Sequence, residues 1–344
     1  MTQQGKPQDQ PITPANRWVG AGRAGDTRID INPAVGDALA AGAPVVALES
    51  TLLCHGIPRP RNRDLACEIE NAVRAAGAIP ATIAVDDGKI KVGLGEAELE
   101  RLLAAPEVAK CSTRDLPRVL TAGAAGATTI AATAFVAARV GISIMATGGL
   151  GGVHQGGERS LDVSADLEEL ARTPVTVVCS GVKSILDQTR TLERLETLGV
   201  PVLGYRCDEL PGFYTAHTGL PVSRCDSIGE LRRLHEAHRE LGLAGMVIVQ
   251  PPPEASAMPR ATIERLVEDA RGAARARRIR GSAYTPFMLR HMAERSNGAT
   301  VRVNCDLAIA NARLVAALAV SLVDGEERSS AAKELDPALD LDTT

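Results

Sequence analysis

The chain has 344 residues, 45% hydrophobic and 23% charged, enough for a sizeable buried core in one large or two ordinary domains. A formal net charge of -4 without a basic block argues against nucleic acid as a partner, and seven scattered cysteines without a CxxC pair indicate neither a zinc cage nor a disulfide framework. Residues 1–27 are polar, carry prolines and lack the apolar stretch of a secretory signal, so they read as a disordered tail. The folded unit is expected over 28–324 as one domain, followed by a disordered acidic tail at 325–344.

Within the unit, short β-branched runs recur: Val45 to Leu48, Ala81 to Val85, Ile142 to Met145, Val175 to Val178, Pro201 to Leu203 and Met246 to Val249. Segments of helical period separate them, including Arg61 to Ala76 before Gly77 and Lys183 to Leu198 before Gly199. Such alternation predicts an α/β fold, a three-layer α/β/α sandwich around a largely parallel sheet. Asp86-Asp87-Gly88 reads as a hairpin turn that adds an antiparallel piece at Lys89 to Gly93, so the sheet should be mixed. The longest apolar stretch, Thr128 to Val153, is interrupted by Arg139 and glycines, which disfavours a membrane span.

Ligands of open α/β sheets sit at the carboxyl ends of the strands. Glu49-Ser50-Thr51, Thr147-Gly148-Gly149, Ser180 to Lys183 and Gln250 to Pro253 all follow strand-like runs and should open onto one edge. Lys183 is expected at a helix N-terminus, where dipole and burial disfavour its charge. To serve as an amine nucleophile its pKa must fall from about 10.4 to roughly 7–8, at about 4 kcal/mol to the cation. It also reads as a surface lysine on a first helical turn. Glu49, ending a buried strand, suits a general acid with a raised pKa or a capping group.

The stretch Thr147 to Gly157 offers backbone N–H groups to an anion or forms a flexible lid, and it fits neither GxGxxG nor a P-loop. Asp162 and Asp166, four apart, suit either Mg²⁺ or Mn²⁺ with retained waters or helix capping. Lys110 and Arg114 could grip a phosphate or stay solvated. His235 and His238, on a charged helical face, read as surface residues.

Taken together, ordered blocks from about Pro44 to Val320 resemble the pseudouridine-5′-phosphate glycosidase family, which includes indigoidine-synthase-A-like proteins. The blocks include Ala-Leu-Glu-Ser-Thr (47–51) with His55-Gly56, Arg114-Asp115-Leu116-Pro117, Ala146 to Gly149 with Gly152-Val153-His154, Asp162 to Leu167, and Ser180 to Asp187. The resemblance implies reversible cleavage of pseudouridine 5′-phosphate to uracil and ribose 5-phosphate, a Mn²⁺-type ion, a homotrimer and a cytoplasmic setting. It makes Glu49 the proton donor and Lys183 the covalent nucleophile, with Asp162 on the metal. Lys110, the backbone at Ile130, and Ser164, Ala165 and Asp166 would contact substrate, while His154 and Asn311 would support the site. Cys111, within Lys110 to Arg114, departs from the expected motif. Competing readings are an indigoidine-type enzyme with another nitrogenous partner, a silent phosphosugar-binding regulator, and a sugar kinase that lacks its phosphate loop.

Overall fold

Buried, β-branched segments form the centre of the sheet because they satisfy one another's backbone and expose no polar side chain to the helices above and below. In the computed structural model, which describes residues 28–335, the strands are β1 (Ile29–Ile31), β2 (Val45–Glu49), β3 (Ile79–Asp86), β4 (Lys89–Val92), β5 (Ala109–Cys111) and β6 (Gly126–Thr128). They continue as β7 (Ile144–Ala146), β8 (Thr176–Cys179), β9 (Val202–Tyr205), β10 (Ser223–Cys225) and β11 (Met246–Val249). The main path runs β1-β4-β3-β2-β7-β8-β11-β9-β10, with β6 joining β3 and β5 joining β6. Every pairing is parallel except β3 with β4 and β3 with β6. The hairpin expected at Asp86 to Gly88 is therefore present, and the sheet is mixed and largely parallel.

The helices are α1 (Pro33–Ala40), α2 (Arg61–Ala75), α3 (Glu96–Ala104), α4 (Leu116–Thr121), α5 (Ile130–Val140) and α6 (Gly157–Ser160). After them come α7 (Ala165–Leu170), α8 (Gln188–Thr197), α9 (Ile228–Glu240), α10 (Arg260–Ala276), α11 (Tyr284–Arg295) and α12 (Ala299–Leu335). Helix α12 packs on α2, α9, β2, β7 and β8, whereas α5 packs on α7 and on β2, β3 and β7. The stretch Ala299–Gly325 is long and apolar enough to cross a membrane by composition. Here it serves as a core helix: Leu307, Val315 and Leu318 are fully buried, each worth about 1.5–3 kcal/mol.

Several sequence expectations are corrected. No helix begins at Lys183, because α8 starts at Gln188 with Asp187 as its N-cap, its carboxylate accepting from Arg190 N at 3.0 Å. His235 and His238 are buried: Thr176 Oγ1, on β8, lies 2.9 Å from His235 Nδ1, and the Ala244 carbonyl, just past α9, lies 3.2 Å from His238 Nε2. Helix α12 continues through Gly325, where a tail was expected, to Leu335. Residues 1–27 and 336–344, the rest of the expected tails, lie outside the described residues.

Candidate active site

Because β2, β7, β8 and β11 are parallel neighbours, the residues that follow them converge on one edge of the sheet. Asn311, from α12, fastens that edge from behind. Its Nδ2 donates to the Thr147 carbonyl at 2.8 Å and the Gly148 carbonyl at 3.3 Å. Its Oδ1 accepts from Gln250 Nε2 at 2.9 Å and Ser180 Oγ at 3.2 Å. Asn311 is fully buried and does not line the cavity described next.

In front of this edge lies a cavity of about 340 Å³, lined among others by Glu49, Lys110, His154, Asp162, Asp166 and Lys183. Ile130, Ser164 and Ala165 also face it. Glu49 is 8% exposed and accepts from the Thr147 hydroxyl. Burial pushes its carboxyl above the usual range, against the pull of the Lys183 charge. A carboxyl that holds its proton more tightly than an ordinary glutamate therefore ends β2.

Lys183 reaches the same cavity without a helix. Past the ends of β7 and β8 the two chains stay paired: Leu150 N donates to the Gly181 carbonyl at 2.9 Å, and Lys183 N to the Leu150 carbonyl at 3.1 Å. The Lys183 ammonium donates to the Gly149 carbonyl. Lys110, on β5, faces it from the other side, and burial followed by the Lys183 charge pulls the Lys110 pKa down.

Asp166 is not the cap of α7, a role taken by Ser164, whose Oγ accepts from Asp166 N at 3.3 Å. Its carboxylate instead accepts from Ala131 N and Gly151 N, each at 3.1 Å, so one side chain joins the N-terminus of α5 to the glycine-rich loop. Gly151 is required there, because a Cβ would lie 2.7 Å from Ser164 Cβ and collide with the Asp166 carboxylate. The neighbouring Ile130 N–H, in the first turn of α5, has no acceptor among the described residues and lines the cavity.

His154 packs edge-on against Tyr284, ring centroids 5.5 Å apart, with its Nδ1 4.0 Å from Asp162 Oδ2. Burial lowers its pKa, and Asp162 opposes that shift. Among the described residues no three His, Cys, Asp or Glu side chains converge as a metal cage. Asp162 alone, its side chain 48% exposed, fits a hard cation that keeps most of its waters.

Sequence reasoning passed over the roles of His55, Ser112 and Asn304. His55 Nε2, Ser112 Oγ and Asn304 Oδ1 are buried without a hydrogen-bond partner among the described residues, and all three residues line the cavity. Unsatisfied buried polar atoms gathered on one surface mark a place for a polar ligand. His55 lies in the π-helical turn Leu52–Gly56, which begins three residues after Glu49 and is a distortion common at functional sites.

Fold and cavity together define an α/β enzyme in which a lysine and a buried carboxyl of raised pKa share one pocket at the carboxyl edge of a parallel sheet. The chain belongs to the indigoidine synthase A-like family, whose model matches residues 34–321. It is 49% identical over 296 residues to the pseudouridine-5′-phosphate glycosidase of Jannaschia sp. (strain CCS1), covering 86% of this chain and 98% of that protein. The corresponding glycosidase of Caldanaerobacter subterraneus is 48% identical over 296 residues, 86% of this chain and 96% of its own. Among solved structures, the prealnumycin C-glycosynthase AlnA in complex with ribulose 5-phosphate superposes with a TM-score of 0.82 at 37% identity, covering 88% of this chain and all of that one. An indigoidine synthase A-like protein of Thermotoga maritima gives 0.76 at 36% identity, covering 82% and 94%.

Proposed function

We propose that this enzyme reversibly cleaves the carbon–carbon glycosidic bond of pseudouridine 5′-phosphate, releasing uracil and ribose 5-phosphate. The observation that carries the reading is the pairing of Glu49, a buried carboxyl whose pKa burial raises, with Lys183 in one cavity. The glycosidases at 48–49% identity support it.

A bond from sugar to carbon leaves no lone pair for ordinary acid cleavage, which needs a leaving oxygen. The sugar is opened first: Glu49 gives its proton to the ring oxygen as the C1′–O4′ bond breaks. The neutral Lys183 nitrogen then bonds to C1′ and gives a proton to the Glu49 carboxylate, so the nitrogen regains its lone pair and Glu49 can supply the proton that the base carbon takes up. Protonation of the base carbon lets the C1′–C5 bond break, its electrons leaving with uracil while the nitrogen lone pair forms an imine to C1′. Water adds to that imine and returns the free amine with ribose 5-phosphate.

Lys110, the Ile130 N–H, Ser164 and Ala165 hold the substrate in this scheme, and Asp166 fixes the loop and the helix start around it. Asp162 would hold a Mn²⁺-type ion through its waters, and the ion would neutralise phosphate charge. His154 supports Asp162. Seven cysteines, all free, favour a reducing cytoplasm, and a homotrimer is tested by the mass in light scattering.

The direct experiment supplies pseudouridine 5′-phosphate and follows uracil with and without a chelator. No uracil in the presence of Mn²⁺ sinks the proposal. The likeness to a C-glycosynthase favours one second reading, the same sugar phosphate joined to a different carbon partner. Parallel assays with uracil and other nitrogenous acceptors, each with ribose 5-phosphate, separate the two.

A further inference from the structure

Asn311 uses every hydrogen-bonding position of its carboxamide on the protein. The carbonyls of Thr147 and Gly148 can only accept, so they fix the amide nitrogen on their side, and the Gln250 amide and Ser180 hydroxyl donate to the oxygen on the other. No valence is left for a substrate, and the side chain is 0% exposed. The residues it grips follow β7, β8 and β11. Ser180 stands three residues before Lys183, and the Thr147 hydroxyl donates to Glu49. One amide on α12 therefore reaches the acid through a single intermediate.

We propose that Asn311 is a positioning residue: by clamping the Thr147 backbone it aims the Thr147 hydroxyl at Glu49 and so sets the orientation and proton affinity of the acid. This rests on the reading of Glu49 as proton donor. The charged groups facing Glu49 are Lys183, Asp166 and Lys110, and none of them is altered by changing Asn311 or Thr147. A hydroxyl that donates to the carboxylate favours its charged form. Loosening Thr147 thus raises the Glu49 midpoint further, and with it the alkaline limb of kcat/KM, while the rate falls because the acid is no longer aimed.

The test is a titration of the Glu49 carboxyl by ¹³C NMR in the full chain, assigned by difference with Glu49→Gln, beside steady-state kinetics. Thr147→Val is expected to raise the midpoint by about one pH unit, and Thr147→Ser to restore it. Asn311→Leu is expected to move it in the same direction and to lower kcat about tenfold with KM held within about twofold. A raised KM with an unmoved midpoint would mean that Asn311 binds substrate, and overturns the proposal. So does an unmoved midpoint in both Asn311→Leu and Thr147→Val. Should Asn311→Leu not fold, Gln250→Leu, which frees only the Asn311 oxygen, is read by the same midpoint. Because the titration needs no turnover, it still decides the matter if the wild type releases no uracil.

Discussion

Lys183 is tied to Gly149 by its ammonium and to Leu150 by its backbone N–H, so the amine stands on a short prolongation of the β7–β8 pairing rather than on a helix. Two extended segments hold it more rigidly than a fraying first turn would. The amine is poised in the cavity with Glu49, Lys110 and Asp162. Borohydride added with ribose 5-phosphate is expected to leave a reduced sugar adduct on the peptide carrying Lys183. Lys183→Ala should show no adduct and lose about a thousandfold or more in uracil release. An adduct that persists in Lys183→Ala, at Lys110 for example, would assign the chemistry to another amine.

Glu49→Gln separates catalysis from stability. Loss of the acid should slow turnover by about 10²–10⁴-fold. The carboxyl's folded pKa is raised above its ordinary 4.5, so the folded state retains the proton longer than the unfolded one. The stability that this contributes is full below about 4.5 and is lost as pH rises through the folded pKa. Glutamine does not titrate. The melting temperature of Glu49→Gln relative to wild type should therefore climb as pH rises above about 4.5, and a constant difference there would contradict the raised pKa.

The sheet was legible because its buried strands advertise themselves: Val45 to Leu48, Ala81 to Val85 and Met246 to Val249 all lie within strands. Short strands such as β1, β6 and β10, three residues each, carry too little pattern to stand out. At the site, Glu49 and Lys183 were readable from their positions after apolar runs. Lys183 was nevertheless given a helix, because Ile185, Leu186, Leu192 and Leu195 mimic a helical period that begins only at Gln188. How Asn311 supports the site was not legible, because nothing local distinguishes an asparagine facing a ligand from one that bridges strands distant in sequence. His235 and His238 were placed at the surface because the charged residues around them hide a face that turns inward, where Thr176, 59 residues earlier, meets His235.

His235 gives the fold an acid-sensitive point remote from the chemistry. Burial, with Arg239 and His238 nearby, lowers its pKa from 6.5 to about 4. The unfolded chain therefore takes up a proton first as pH falls. Stability from the neutral ring is present above pH 6.5 and is lost on the way down through pH 4, on the order of 3 kcal/mol in total. His235→Gln, which keeps a partner for the Thr176 hydroxyl, should flatten the dependence of urea midpoint on pH between these values. An acid limb as steep as that of wild type would place the loss elsewhere.

Gly181 and Gly141 test how far the lysine's loop depends on close backbone approach. Both have positive φ, 81° and 87°, so alanine is strained at either. A Cβ at Gly141 meets nothing within 4 Å, whereas at Gly181 it overlaps the Pro211 carbonyl, whose carbon lies 2.8 Å away. Gly141→Ala should cost only the backbone strain, about 1 kcal/mol, and leave borohydride trapping at Lys183 intact. Gly181→Ala adds a clash that can be relieved only by moving Pro211 or the loop itself, for a total of about 2–5 kcal/mol. Because Gly181 O accepts from Leu150 N, moving the loop also unpairs the segment that presents Lys183. Trapping should then fall even in the fraction that remains folded by circular dichroism. Equal trapping in the two alanine variants would show that the amine's placement does not depend on this contact.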